Sequence, residues 1–245
     1  MASGIRCYTR SYVTQSWRRR VNTRSTAAPV SASPPGTEDS SQAQAAYERL
    51  RELIVLLQLA PGAYVSEAEL STLIGLGRTP VREAVQRLAI EGFCERLPRR
   101  GILITPIDLD RQIDIQEVRL ELEPMAARLA AQRITDPEAT ELRRLLPNPT
   151  LASDPDNRVD EQLHLYVAAL SKNDILSGML IPLYAHARRH WNQWTRRGLT
   201  EPVELLQGWN DIVDAICARD GASAYQRMHE HVDTSKWTLL TPHVR

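Results

Sequence analysis

The sequence predicts a mainly α-helical protein, in which an N-terminal winged helix-turn-helix precedes an all-α antiparallel bundle of six or seven helices. Between residues 45 and 107, three helical patterns precede two short β patterns. From residue 108 to residue 240, helical patterns follow one another through short loops with almost no strand signal. We therefore expect domains over 45–107 and 108–240, an arm over 1–44 and a tail over 241–245.

Residues 1–44 are predicted to form a disordered basic arm. They contain six arginines and no acidic residue before Glu38, and they are rich in Ser, Ala and Pro. Such a composition buries too little apolar surface to order the chain. This composition overlaps with that of an organelle transit peptide. A secretion signal is not expected, because no apolar run follows Arg18-Arg19-Arg20.

Charge and cysteine content exclude several classes of protein. The 245 residues include 30 basic and 30 acidic side chains, so the formal net charge is zero. Any basic surface must be local, which argues against a nonspecific architectural DNA-binding protein. The three cysteines are scattered, as in a protein of the reducing cytoplasm. No apolar run approaches a membrane span, so we expect no membrane partner.

The first two helices of the N-terminal domain carry clear boundary signals. The segment Ala45–Leu59 is amphipathic and forms the predicted first helix. Ser66 and Glu69 have the spacing of a capping box, which opens a short second helix. The glycines at positions 75 and 77 allow the tight turn of a helix-turn-helix.

The third helix is predicted to begin near Gly77–Pro80, because proline is tolerated in a first turn. Arg78 and Arg82 are four residues apart and share a face, and Thr79 lies beside them. Two guanidiniums and a hydroxyl at a helix start suit contacts with phosphates and guanine edges in the major groove of DNA. The spacing alone equally fits a solvated helix face. The adjoining turn, cap and hairpin favour DNA binding.

Two strands after the third helix are predicted to form the wing. Glu91-Gly92-Phe93 ends the helix, and the strands are Cys94–Leu97 and Gly101–Thr105. Pro98-Arg99-Arg100 joins them, which gives the hairpin a basic tip. Such a tip can reach an adjacent groove or the DNA backbone.

This domain resembles the GntR family of bacterial transcription regulators over its whole length. The resemblance is carried, in order, by Leu59-Ala60-Pro61-Gly62, Val65-Ser66-Glu67, Leu70, Arg78-Thr79-Pro80-Val81-Arg82-Glu83-Ala84, Arg87-Leu88, Glu91-Gly92 and Arg100-Gly101. Gly77 departs from the family, which usually has serine there. The resemblance implies that operator bases and phosphates are contacted by Arg78, Thr79, Arg82 and Arg87. It implies backbone or minor-groove contacts for Ser66, Arg99, Arg100 and Gly101.

The second half is predicted to consist of short-looped helices. Its first 25 residues hold one or two apolar-faced helices, and Thr135 and Glu138 take capping positions of the next. Further helices are predicted over roughly 158–171, 173–197, 202–219 and 221–240. This half resembles the FCD effector domain of the FadR subfamily over residues 108–240. The matching residues are Val118-Arg119, Leu122-Glu123, Asp160-x-x-x-His164, Lys172-Asn173, Asp214-Ala215-Ile216, Asp220, Ala224, Met228 and His231.

A metal site is one expectation for the helical half. Asp160 and His164 are four residues apart, so they share a helix face and can ligate one ion. The resemblance adds His231 as a ligand and places the family's further histidine at Trp209, whose indole N–H can only donate. Three ligands still suit zinc, nickel or manganese, with water or effector at open positions.

Two alternatives to that site remain open in the sequence. His186 and His190 form another i,i+4 pair that could replace part of it. If no metal binds, Trp209 fills the vacated volume and the cavity binds its effector directly. An effector carboxylate could pair with Arg119, Arg188 or Arg189, because guanidinium holds carboxylate bidentately. Arg119 could instead pair with Glu123 in its own helix.

The leading functional hypothesis is a DNA-binding transcription regulator of bacterial cytoplasm, associated with the nucleoid. A homodimer would bind a palindromic operator, because the two-fold axis of the protein is mirrored in the DNA. The resemblance implies repression and a small organic acid as effector. The alternatives are a metal-dependent enzyme on the helical half and a dimeric DNA-binding protein without a ligand. The sequence offers no paired general acid and base and no nucleophile motif, so no catalytic residue is predicted.

Overall fold

The computed structural model describes residues 37–146, 158–199, 206 and 208–240, and for residues 37–40 and 235–240 it describes the backbone only. The predicted tail over 241–245 and residues 1–36 of the predicted arm lie outside this range. Within the described residues the elements are, in chain order, α1 (Thr37–Val55), β1 (Tyr64–Val65), α2 (Glu67–Ile74), α3 (Arg78–Ile90), β2 (Cys94–Leu97), β3 (Gly101–Ile104), α4 (Leu109–Arg133), α5 (Asp136–Leu145), α6 (Arg158–Leu170), α7 (Asp174–Arg196), α8 (Trp209–Cys217) and α9 (Gly221–Leu240).

The N-terminal domain is the predicted winged helix-turn-helix. Its three helices pack on a small antiparallel sheet in the order β1-β3-β2. The predicted arm is wrong for residues 37–44, because α1 begins at Thr37. The N-terminal part of α1 has partners within the domain: Gln44 donates to Glu48 and accepts a hydrogen bond from Arg87. Strand β1 was not predicted, since two residues are too few to show an alternating pattern.

The turn between α2 and α3 has the predicted form. Ser66 caps α2 and forms the capping box with Glu69. Gly75 ends α2 in the left-handed conformation, with a φ of 66°, which favours glycine. Gly77 precedes α3 with a φ of −62°, so its backbone does not require glycine. Helix α3 then buries its inner face, which consists of Val81, Ala84, Val85 and Leu88.

The wing is an antiparallel hairpin in which Cys94 pairs with Ile104 and Leu97 with Gly101. Its turn uses left-handed backbone at Arg99 (φ 63°) and Gly101 (φ 91°). A Cβ atom at Gly101 would lie 2.8 Å from the carbonyl oxygen of Val65. Glycine is therefore needed where β3 passes closest to β1.

The second domain contains six helices within the described residues, as the sequence predicts. Helix α4 is one continuous helix through Pro124 and packs against α6, α7 and α9. The cap of α5 is confirmed, because the carboxylate of Glu138 accepts from the backbone and the hydroxyl of Thr135. Of the helix predicted over 202–219, residues 202–205 and 207 lie outside the described range, and the described helix α8 begins at Trp209, after Gly208 adopts a left-handed φ of 84°. Among the described helices, none is both long and apolar enough to cross a membrane.

Helix α7 connects the two domains. Its N-terminal half packs inside the bundle through Leu176, Leu180 and Tyr184. The next residue, Ala185, belongs to the hydrophobic core of the winged helix. Near the far end, the side chain of Asn192 donates to the carbonyl oxygen of Val55 at 2.9 Å. One helix thus spans from the bundle core to the N-terminal domain.

Candidate DNA interface and effector site

The outer face of α3 carries the predicted DNA-contacting residues. Arg78 and Thr79 are exposed in the first turn, and the Arg82 side chain is 58% exposed. Gly77 supplies no side-chain cap to this turn. Because the opposite face of α3 is buried, these three side chains all lie on the accessible side of the helix. Their arrangement suits insertion into a major groove.

Arg82 shares an acidic partner with a residue of the wing. Its Nε and Nη2 atoms both lie 3.2 Å from Oε2 of Glu67, the first residue of α2. Arg96 of β2 donates from Nη2 to the other oxygen, Oε1, at 2.8 Å. Arg96 was not identified from the sequence, although a basic residue in a predicted wing strand is a candidate for DNA contact.

Arg87 is also exposed, with 48% of its side chain accessible, but its guanidinium packs against α1. Its guanidinium lies over the ring of Tyr47 at 3.6 Å. It also donates from Nε to Glu91 at 3.1 Å and from Nη1 to Gln44 at 2.9 Å. These contacts fix α3 against α1, which differs from the expectation that Arg87 contacts DNA.

The remaining predicted DNA-binding residues lie at the start of α2 and at the tip of the wing. The Ser66 hydroxyl is already used in the cap: it donates to Glu69 at 2.8 Å and accepts from the Glu69 N–H at 3.1 Å. Arg99, Arg100 and Gly101 are exposed at the tip of the wing. The wing tip is thus basic and accessible, as the sequence predicts.

In the second domain, α6 and α9 bring together Asp160, His164 and His231. One ligand atom from each lies within 4.8 Å of the others. Nε2 of His164 is 3.6 Å from one carboxylate oxygen of Asp160, and Nε2 of His231 is 3.8 Å from the other. His164 is buried, and the other two are half-buried.

Trp209 closes this cluster from α8. The side chain is buried, and its indole N–H donates to Oδ1 of Asp160 at 2.9 Å. Its ring centroid lies 4.8 Å from that of His164 and 5.2 Å from that of His231. Trp209 therefore stands beside the three possible ligands but cannot be a fourth.

A buried ion pair lies beneath the cluster. Nδ1 of His164 is 2.6 Å from Oε2 of Glu123, and the other oxygen of Glu123 pairs with Arg119. Burial alone would raise the pKa of Glu123, but the positive charge of Arg119, with the hydrogen bonds from Arg119 and His164, lowers this pKa to about 2. Arg119 also donates to Gln116 at 2.9 Å, and its Nη2 lies 3.5 Å from Nε2 of His164.

The donor set fits a divalent metal with three protein ligands. The Glu123 carboxylate faces Nδ1 of His164, which directs the opposite nitrogen, Nε2, toward Asp160. This carboxylate–histidine arrangement orients metal-binding imidazoles in many proteins. One carboxylate and two imidazoles are suitable ligands for zinc, nickel and manganese.

Arg188 and Arg189 lie at the domain interface and not beside this cluster. Arg188 donates at 2.9 Å both to Glu52 of α1 and to Glu161 of α6. Arg189 donates to the carbonyl oxygen of Thr105 at 2.6 Å. Both arginines fall on the face of α7 that meets the winged helix, so neither is placed to hold an effector at the cluster.

His186 and His190 are also separate from the cluster. The His186 ring stacks on Phe93 with centroids 3.9 Å apart, and its Nε2 lies 2.8 Å from the carbonyl oxygen of Glu91. His190 packs against Trp191 and Trp194. Burial lowers the pKa of each histidine to about 4. This pair therefore serves packing at the interface rather than replacing a metal ligand.

Two families match adjacent parts of the chain. The family described as bacterial regulatory proteins, gntR family, matches residues 42–104, and the FCD domain matches residues 114–234. The Nta operon transcriptional regulator of Aminobacter aminovorans is 30% identical over 158 residues, covering 62% of this chain and 75% of that protein. The HTH-type transcriptional repressor RspR of Escherichia coli (strain K12) is 27% identical over 194 residues, covering 77% and 85%.

A solved structure shares the fold. The E. coli protein McbR/YncC has a TM-score of 0.71 and 22% identity, covering 81% of this chain and 97% of that chain. The family matches and the named relatives identify the function class as well as the fold. The chain belongs to the GntR family of bacterial regulatory proteins and is a transcriptional regulator with a C-terminal FCD domain.

Proposed function

We propose that this regulator represses transcription by binding a palindromic operator as a homodimer, through α3 and the wing. One observation carries the proposal: Arg78, Thr79 and Arg82 lie together on the accessible face of a helix that is buried on its other side. An arginine that contacts guanine bidentately discriminates against other bases by about 1–3 kcal/mol. The relative RspR is named a repressor, which supports the proposed direction of regulation.

The wing supplies the second part of the proposed interface. Arg99 and Arg100 add positive charge at its exposed tip. Contacts of this kind position a protein on the duplex without reading its sequence. Two copies related by a two-fold axis would then require an inverted repeat with half-sites about one helical turn apart. The proposed location is the bacterial cytoplasm, at nucleoid DNA.

The effector is proposed to be a small organic acid, which binds at the cluster of Asp160, His164 and His231. These three residues would hold a zinc, nickel or manganese ion, and the ion would supply an electrophilic site for a carboxylate oxygen. The buried guanidinium of Arg119 provides a positive charge next to His164. Trp209 forms an apolar wall of the same site and holds Asp160 in place.

Helix α7 is the proposed route from the effector to DNA. The ring of Tyr184 stacks near His164, with centroids 5.0 Å apart. Two residues later on the same helix, His186 stacks on Phe93, which lies three residues after the end of α3. A ligand that favours one position of α7 therefore also favours one arrangement of the winged helix. It can change operator affinity only by its difference in affinity for the two arrangements.

Sequence selection by the full-length protein tests the DNA-binding part of the proposal. A library of duplexes with 30 randomised base pairs is enriched on the protein, and the products are sequenced. The proposal predicts an inverted repeat for the wild type and no enrichment for the double variant Arg78→Ala/Arg82→Ala. If the wild type enriches no sequence, the proposal is overturned.

A carboxylate panel tests the effector part. Monocarboxylic, dicarboxylic and hydroxy acids are added to the zinc-loaded full-length protein, and affinity for the enriched duplex is measured. At least one acid should change this affinity in the wild type and leave His164→Ala unaffected. Equal responses of the two proteins would place the effector elsewhere, and no response to any acid would favour a ligand-independent regulator.

A further inference from the structure

The carboxylate of Glu67 connects the recognition helix to the wing. One oxygen contacts Nε and Nη2 of Arg82, and the other contacts Nη2 of Arg96. The three residues come from α2, α3 and β2, which are the elements that surround the proposed DNA face. Glu67 is the most covered of the three, since its side chain is 20% exposed against 58% for Arg82 and 43% for Arg96.

An acidic group at this position is unfavourable for DNA binding in general. It lies within 3.2 Å of two guanidiniums that face the proposed duplex, and it would be repelled by phosphates. Nor is Glu67 needed to cap α2, because Ser66 and Glu69 already form the capping box. The contacts of Glu67 therefore call for an explanation other than helix capping.

The geometry explains what the carboxylate contributes. Glu67 contacts one edge of the Arg82 guanidinium through Nε and Nη2, and the side chain as a whole remains 58% exposed. A free arginine side chain samples many rotamers, whereas a guanidinium held on one edge presents the other in a fixed orientation. The same carboxylate fixes the distance between this guanidinium and that of Arg96.

We propose that Glu67 is a positioning residue for operator recognition, which holds Arg82 for base readout and Arg96 for a backbone contact in one geometry. Its negative charge also weakens binding to unrelated DNA. Glu67 thus raises the ratio of operator affinity to nonspecific affinity. This inference rests on the proposed DNA-binding function and adds Arg96 to the residues of the interface.

Two duplexes and three full-length proteins test the inference. The probes are the 30-base-pair duplex enriched by the wild type and a scrambled duplex of equal composition, titrated at several salt concentrations. The proteins are the wild type, Glu67→Gln and the matched control Glu69→Gln, which alters the capping box and touches neither arginine. Circular dichroism and thermal melting verify that each variant is folded.

For Glu67→Gln, we expect binding of the scrambled duplex to tighten about fivefold in 0.15 M salt, as for one additional phosphate contact. The salt slope of this binding should steepen by about 0.9. The ratio of the two affinities should fall about tenfold, because Arg82 no longer has a fixed orientation. Glu69→Gln should lower the melting temperature and leave the ratio and the slope unchanged.

A ratio for Glu67→Gln within about twofold of the wild-type ratio would overturn the inference, whatever the change in stability. A fourth protein, the conservative variant Glu67→Asp, has a shorter side chain that reaches fewer of the guanidinium atoms and should give an intermediate ratio. If the wild type itself does not distinguish the two duplexes, the proposed function fails instead. The two failures are therefore distinguishable.

Discussion

The indole N–H of Trp209 donates a 2.9 Å hydrogen bond to Oδ1 of Asp160, the carboxylate that lies between His164 and His231. Trp209 occupies the position at which the resemblance to FCD domains placed a further histidine. The side chain at this position therefore holds the Asp160 carboxylate by a hydrogen bond and cannot itself bind a metal. This difference allows the metal affinity of the cluster to be altered by one substitution.

Trp209→His should increase metal affinity. The new imidazole can act as a fourth ligand and releases Oδ1 of Asp160 from its hydrogen bond. We expect a zinc affinity at least about tenfold higher than that of the wild type, measured by calorimetric titration of the chelator-treated full-length protein. The control Trp209→Phe removes the N–H without adding a ligand. Equal affinities of the histidine and phenylalanine variants would contradict the predicted geometry.

His164→Ala should abolish stabilisation by zinc. A ligand at 100 times its dissociation constant stabilises a folded protein by about 2.7 kcal/mol, so zinc should raise the melting temperature of the wild type. The variant lacks the one buried ligand of the cluster and should show no zinc-dependent rise. His229→Ala is the control, because His229 stacks on Tyr225 outside the cluster. The same rise in both variants would show that zinc binds elsewhere.

Arg188→Met should weaken the contact between the domains. The Arg188 side chain is 3% exposed and pairs with both Glu52 and Glu161. Removing it takes this partner from Glu161, whose side chain is 12% exposed, whereas Glu52 keeps its pair with Arg158, so we expect a loss of about 2 kcal/mol. Urea unfolding measures this loss. Arg227→Met, which breaks an exposed pair with Glu230, should have no measurable effect, and equal losses in the two variants would contradict the interface.

His186 should make the fold sensitive to mild acid. Its burial, with the charges of Arg111 and Arg189, lowers its pKa from 6.5 to about 4. Below pH 6.5 the unfolded chain therefore takes up a proton that the folded protein excludes, so stability is lost as the pH falls toward 4. Between pH 7 and pH 5 this loss amounts to about 2 kcal/mol.

Urea unfolding from pH 7 to pH 5 measures this effect. His186→Phe retains an aromatic ring against Phe93 and cannot take up a proton, so its stability should fall less over this range. Parallel curves for the wild type and the variant would refute the assignment. Other titrating residues contribute equally to the pH dependence of both proteins, so their contributions cancel in the comparison.

Much of the N-terminal domain was predictable because its signals are local. The Ser66–Glu69 capping box, the turn at Gly75 and the hairpin strands each depend on neighbours within a few residues. The start of α1 was missed because its support comes from Arg87, 43 residues away from Gln44. Strand β1 is defined by pairing with β3 and not by its own sequence.

The sites were predictable to the extent that helical spacing determines them. Asp160 and His164 meet because they are four residues apart, whereas the position of His231 followed only from the resemblance. Arg188 and Arg189 were expected at the effector, but the structure places them against Glu52 and Thr105 of the winged helix, because the sequence does not reveal which face of α7 meets that domain. Glu67 was missed as a partner of Arg82, since its contacts join elements that are distant in sequence.

The most direct test of the central claim is the affinity of the full-length protein for its enriched duplex, compared between the wild type and Arg78→Ala/Arg82→Ala in 0.15 M salt. Loss of two arginine contacts at about 1–3 kcal/mol each predicts a decrease of at least about 30-fold. Arg227→Ala, on the outside of the helical domain, should bind as the wild type does. If the double variant binds the duplex within twofold of the wild type, α3 is not the element that reads the operator.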